Sequence, residues 1–184
     1  MTRKITAGLF MSVDGVVEAP NTFQHDSFDA ELGARMGEFV SSTTDAVLGR
    51  VGYSEWSQYW PGNDDPDDFG VFINPIRKHV ASTTLSEPLN WENSVLIRGD
   101  LADYLRALKE NGTPGNIAVV GGIEIVRSVF FTGLLDELQL MIHPVVAGAG
   151  RTLFREGDPQ HRLTLVDSAI TSKGNALLTY ARRD

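Results

Sequence analysis

The chain has 184 residues, 42% of them hydrophobic, with a formal net charge of −8 at pH 7. That length supports one compact domain over 1–184 with a sizeable apolar core, and the acidic surplus disfavours nucleic acid and membrane surfaces as partners. The absence of cysteine excludes disulfides, thiolate metal sites and a cysteine nucleophile, and it suits a reducing cytoplasm, where the protein is expected to work.

The basic opening Met1-Thr2-Arg3-Lys4 leads into an apolar stretch broken by Ser12, Asp14 and Gly15. It reads as a strand over 5–13 ending in a turn, not as a signal sequence, and no run approaches membrane-spanning length. Between 29 and 40, Leu32, Met36, Phe39 and Val40 follow the spacing of an amphipathic helix. A buried strand is expected over 45–49, then a short helix over 51–59 that stops before Pro61. Asn63-Asp64-Asp65-Pro66-Asp67-Asp68 reads as a solvated acidic loop, because it lacks the spacing and closing glutamate of a calcium loop.

An apolar segment at 69–73 precedes strands over 78–82 and 94–98. Leu101, Tyr104, Leu105 and Leu108 mark a helix that stops at Asn111-Gly112. A strand over 117–120 and a helix over 123–131 follow. Beyond Gly133 the pattern turns to strands alone, at 137–143, 163–170 and 176–181, with turn chemistry at Ser172-Lys173-Gly174-Asn175. Strands alternating with helices and then a β tail imply an α/β fold: a mostly parallel sheet, an antiparallel C-terminal hairpin and helices on both faces. Such a sheet opens crevices at the carboxyl ends of its strands.

Two strand ends run through glycine directly into helices, at Val47-Leu48-Gly49-Arg50 and Ala118-Val119-Val120-Gly121-Gly122. Glycine lets the main chain approach an anion, and the following helix offers free N–H groups and the positive end of its dipole. Alone, each could be a tight connection. Together they could hold one dinucleotide. Arg50 at a helix start is disfavoured by the dipole unless an anion compensates it. Gly148-Ala149-Gly150 lies between β segments and reads as a structural connection. The histidines at 25, 79, 143 and 161 show no metal-ligand spacing, so no metal site is expected. Trp56, Tyr59 and Trp60 fit core or dimer contacts, with a substrate-stacking role as the other reading.

In chain order, Ser12-Val13-Asp14-Gly15, Asp45-Ala46-Val47-Leu48-Gly49-Arg50, Ala81-Ser82-Thr83-Thr84-Leu85, Val119-Val120-Gly121-Gly122, and Asp136-Glu137-Leu138 through His143-Pro144-Val145 to Arg151-Thr152-Leu153-Phe154 resemble the dihydrofolate-reductase-like superfamily. The likeness is greatest to the C-terminal reductase domain of the bifunctional riboflavin-biosynthesis deaminase/reductase. It implies a sheet of about eight strands, homodimerisation and an NADPH-dependent reductase. The implied substrate is a small heterocyclic or carbonyl compound, most like that of the 5-amino-6-(5-phosphoribosylamino)uracil reductases. Dihydrofolate reduction, a non-catalytic NADPH-binding or redox-sensing module, and a purely structural homodimer are the alternatives.

The resemblance also implies residue roles. Gly49, Arg50, Val51 and Gly52 would meet the cofactor phosphates, and Ser82 and Thr83 the adenosine 2′-phosphate, with Arg98 adding charge. Gly121, Gly122 and Ile123 would seat the pyrophosphate, and the backbone at Val13 and Val17 would orient the nicotinamide. Hydroxyls plus a guanidinium suit an extra phosphate, although Ser82-Thr83-Thr84 could equally be β-prone residues closing a strand and Arg98 an ordinary surface charge. Hydride transfer also needs a proton. Asp29 is the candidate donor and Glu31 the other, although both could simply favour a helix N-terminus.

Overall fold

A computed structural model describes residues 3–63 and 68–183, so Asp64, Asp65 and Asp67 of the acidic loop lie outside the described residues. Eight strands form one sheet: β1 (Ile5–Ser12), β2 (Thr43–Gly49), β3 (Arg77–Ala81), β4 (Ser94–Leu96), β5 (Asn116–Val120), β6 (Glu137–His143), β7 (Leu163–Ile170) and β8 (Ala176–Arg182). Their spatial order is β4-β3-β2-β5-β1-β6-β8-β7. Every pairing is parallel except the two made by β8, with β6 and with β7. The mostly parallel sheet with an antiparallel C-terminal hairpin is therefore as the element order implies.

Among the described residues, five α-helices connect the strands: α1 (Ala30–Ser41), α2 (Arg50–Tyr59), α3 (Asp68–Ile73), α4 (Leu101–Glu110) and α5 (Ile123–Phe131). Side-chain alternation along the central strands supplies two cores. Val47, Ile117 and Val119 pack with Leu105, Leu108, Val126 and Val129, the inner faces of α4 and α5. Their neighbours Ala46, Leu48, Ala118 and Val120 pack on the opposite side with Tyr53 and Trp91. Leu32 of α1 adds a third cluster with Met141 and Leu177.

The segment 69–73, left without a type by its sequence, is helical. Lys78 on β3 holds its end: fully buried, its Nζ donates to the carbonyls of Ile73, Asn74 and Ile76 at 3.0, 2.8 and 2.8 Å and lies 4.5 Å from the Trp91 ring centroid. Three backbone acceptors and an aromatic face make a buried ammonium tolerable. Among the described residues, no helix is long and apolar enough to cross a membrane.

Candidate functional site

The carboxyl ends of β2 and β5 deliver α2 and α5 to the same place. Gly52, in the first turn of α2, lies so close to the β5–α5 turn that a Cβ there would sit 1.6 Å from the Gly121 carbonyl oxygen. Gly121 and Gly122 have φ of +69° and +143°, conformations that favour glycine. The caps are equally informative. Asp29 and Asp100 accept from the N-terminal amides of α1 and α4, whereas α2 and α5 begin at Gly49 and Gly122 with no side-chain cap. Their N–H groups are left for another acceptor.

Those two helix starts face a cavity of about 460 Å³. Gly49, Arg50, Val51 and Gly52 line it from the β2–α2 turn, Ser82 and Thr83 from the loop after β3, and Gly121, Gly122 and Ile123 from the β5–α5 turn. Arg50 is exposed and has no ion pair among the described residues. Ser82 Oγ accepts from the amides of Thr84 and Leu85 at 3.2 and 3.0 Å and lies 3.5 Å from Thr84 Oγ1, which fixes the turn and sets two hydroxyls at the cavity wall.

A second cavity of about 450 Å³ shares Gly121, Gly122 and Ile123 with the first. Its walls are aromatic and apolar, including Phe28, Phe39, Trp56, Trp60 and Phe69, and Val17 contributes from the β1 side. Gln24, Arg35 and Gln139 are its polar side chains. Gln24 is set by a buried histidine: the Ser27 hydroxyl donates to the Gln24 carbonyl, so His143 Nδ1–H donates to Ser27 Oγ at 2.6 Å and Nε2 faces the Gln24 amide at 3.4 Å. Burial holds the His143 pKa below its ordinary value, which favours this neutral tautomer. Asp14 ties down the loop after β6. Its carboxylate accepts from Ser12 Oγ and from the amides of Ala147 and Gly148, and these bonds hold its pKa down to about 2.

A phosphate-bearing dinucleotide fits this arrangement, since backbone that a Cβ would fill, unused helix amides, hydroxyls and an unpaired guanidinium surround one cavity that continues into an apolar one. The sequence model of the RibD C-terminal domain family matches residues 3–177. The chain belongs to this family. The uncharacterized Bacillus subtilis protein YyaP is 30% identical over 183 residues, covering 97% of this chain and 94% of its own. Among solved structures, a Shewanella sp. PV-4 protein assigned provisionally to riboflavin biosynthesis superposes with a TM-score of 0.75 at 20% identity, with full coverage of both chains. Enterococcus faecalis dihydrofolate reductase, solved with NADP(H), superposes with a TM-score of 0.64 at 14% identity, again with full coverage of both. The fold of this RibD C-terminal domain is thus the dihydrofolate-reductase-like one.

The domain gathers nine of the sequence-singled residues around the first cavity and Val17 at the second, and leaves three apart. Val13 is 63% exposed and lines neither. Arg98 points to Glu87, 3.0 Å away, with its side chain 69% exposed; Arg50 is the unpaired guanidinium instead. Asp29 caps α1 through Leu32 N at 2.9 Å and accepts from Lys173 N and Asn175 Nδ2, both at 3.1 Å. Burial works to raise the Asp29 pKa, but bonds from Thr171, Leu32, Lys173 and Asn175 outweigh it and hold the carboxyl ionised. A carboxylate so engaged is a latch between α1 and the β7–β8 turn. Asp29→Ala is therefore expected to lower the melting temperature, as paired thermal melts of variant and wild type would read. Glu31 makes the same connection, accepting from the amide and hydroxyl of Ser172.

Arg151, part of the resemblance but given no role there, lines the first cavity while its Nε pairs with Glu18 at 2.7 Å. The sequence left the role of Trp56 and Trp60 open, and they line the second. Their spacing of four is visible in the sequence, but the open volume beside them depends on how α1 and α3 flank the sheet. Among the described residues, no three His, Cys, Asp or Glu side chains gather as a metal site would require.

Proposed function

We propose that this domain is an NADPH-dependent reductase of a small heterocyclic or carbonyl compound. The observation that carries the reading is the meeting of two uncapped helix starts at one cavity, packed glycine to glycine at Gly52 and Gly121. Arg50, Ser82 and Thr83 would hold the adenosine 2′-phosphate and neighbouring phosphate oxygens, and the amides of α2 and α5 the remainder. When bound, the coenzyme supplies hydride; the chain's share is orientation and exclusion of water. Gly121, Gly122 and Ile123 border both cavities, so they would set where the nicotinamide enters the aromatic chamber.

Calorimetric titration tests this. NADPH is expected to bind at least tenfold more tightly than NADH, and Arg50→Gln to remove most of that difference, as loss of a charge-assisted contact to phosphate does. No heat from either reduced nucleotide, with the protein native by circular dichroism, overturns the reading.

The same reading has the chain acting as a homodimer through β7. This edge strand is exposed along nearly its whole length, and it presents Leu165, Val166 and Ile170 at 49, 52 and 73% exposure, an unpaired edge of the kind that association covers. Sedimentation velocity at micromolar concentration is expected to give the mass of two chains, and a species of one-chain mass removes this part.

A further inference from the structure

We infer that the aromatic cavity takes a neutral, planar quinone as its hydride acceptor, an inference that rests on the reductase reading and narrows its substrate. The first ground is charge. Every lysine and arginine of the chain is among the described residues, and only Arg35 reaches this cavity. Arg35 is already neutralised, 2.6 Å from Asp167 and 3.9 Å from Glu38. The N-terminus of α5, the other anion-binding group on this wall, belongs to the coenzyme in the reductase reading. A phosphoribosyl group or a folate carboxylate would enter without a free counter-charge, and an unpaired anion in an apolar site is strongly disfavoured.

The second ground is the proton. Apart from Arg35, none of the described lining residues is ionisable. Reducing a C=N bond leaves charge on a strongly basic nitrogen, which needs a proton donor as the C–H bond forms. A quinone instead becomes a phenolate, whose conjugate acid has a pKa near that of tyrosine, about 10, so its proton can come later from water. The quinone gains hydride from the reduced nicotinamide and one proton from water, giving the hydroquinone and the oxidised nicotinamide. Gln139, with no side-chain bond among the described residues, is a donor free to meet the oxygen on which charge develops. Phe28, Phe39, Trp56 and Phe69 supply the ring-stacking walls.

The probes are menadione, its negatively charged counterpart 1,4-naphthoquinone-2-sulfonate, and the phosphoribosylated aminopyrimidine. Two of the three tryptophans line the cavity, so menadione without coenzyme is expected to quench intrinsic fluorescence saturably. Phe28→Ala, at a half-exposed position that should leave folding intact, is expected to weaken that binding at least tenfold. Gln139→Leu is expected to lower kcat for menadione about tenfold while leaving the quenching titration unchanged. With NADPH present, kcat/KM for menadione should exceed that for the sulfonate at least tenfold.

Preference for the sulfonate or for the phosphoribosyl compound overturns the inference. So does NADPH binding without menadione quenching, which leaves the reductase reading standing. Menadione quenching without NADPH binding overturns the reductase reading, and the reduction with it, and supports only the apolar site.

Discussion

Gly52→Ala is expected to reduce NADPH affinity at least a hundredfold and to destabilise the fold by about 1–3 kcal/mol, the ordinary cost of overpacking a well-filled site. The added methyl would lie 1.6, 2.3 and 2.7 Å from the oxygen, carbon and Cα of Gly121. All three are backbone atoms, so no rotamer change relieves the clash. Either α2 withdraws from the β5–α5 turn or the Gly121 peptide rotates, and Gly121 already occupies φ +69°. Both routes open the joint at which the two cavities meet. Gly37→Ala provides the control, because nothing lies within 4 Å of its Cβ position on α1 and alanine there is expected to be neutral or mildly stabilising. Calorimetry with NADPH and thermal melts of both variants read the outcome. Wild-type affinity in Gly52→Ala would show that the contact between the two helix starts is dispensable for binding.

The two glycine-marked helix starts were legible in the sequence because their physics is local: an apolar strand, a glycine and a following helix are contiguous at 47–50 and 118–122, and in the second the glycines take positive φ. The β tail was legible for the same reason, through its strand-like runs and the turn residues at Ser172-Lys173-Gly174-Asn175. Asp29 was not. Its partners at 171, 173 and 175 are about 140 residues away, and only pairing of β8 with β6 brings that turn over the start of α1. The choice between Arg98 and Arg50 likewise depends on Glu87, whose carboxylate the fold places beside Arg98. A guanidinium's availability is a property of its neighbours in space. The aromatic chamber falls between these cases: the spacing of Trp56 and Trp60 puts both rings on one side of α2, but an empty volume leaves no periodicity to read.

Asp45→Ala is expected to cost about 3–5 kcal/mol of stability, the usual consequence of removing one partner from a buried ion pair. Asp45 lies 5% exposed near the start of β2, at the opposite end of that strand from Gly49. One carboxylate oxygen accepts from Arg3 and from Thr44 Oγ1, and the other is 2.9 Å from His79 Nε2, whose Nδ1 meets the Tyr104 hydroxyl at 2.7 Å. Arg3 also donates to the Leu108 and Gly115 carbonyls at 3.0 and 2.9 Å, so one carboxylate couples the segments before β1 and β5 to β3 and α4. Burial acts to raise the Asp45 pKa, but the bonds from His79 and Arg3 outweigh it and lower the value from 3.8 to about 2. The folded value lies below the unfolded one, so the contribution is fully present above pH about 4 and is lost as pH falls toward 2. Urea midpoints measured from pH 7 down to 2.5 should therefore fall for the wild type within that window. Asp45→Asn should begin lower at pH 7 and run flatter through it, and equal slopes for the two proteins would remove Asp45 as the source of the acid sensitivity. Because the network sits at the far end of the sheet from both cavities, NADPH affinity of the folded Asp45→Asn protein at pH 7 should match the wild type.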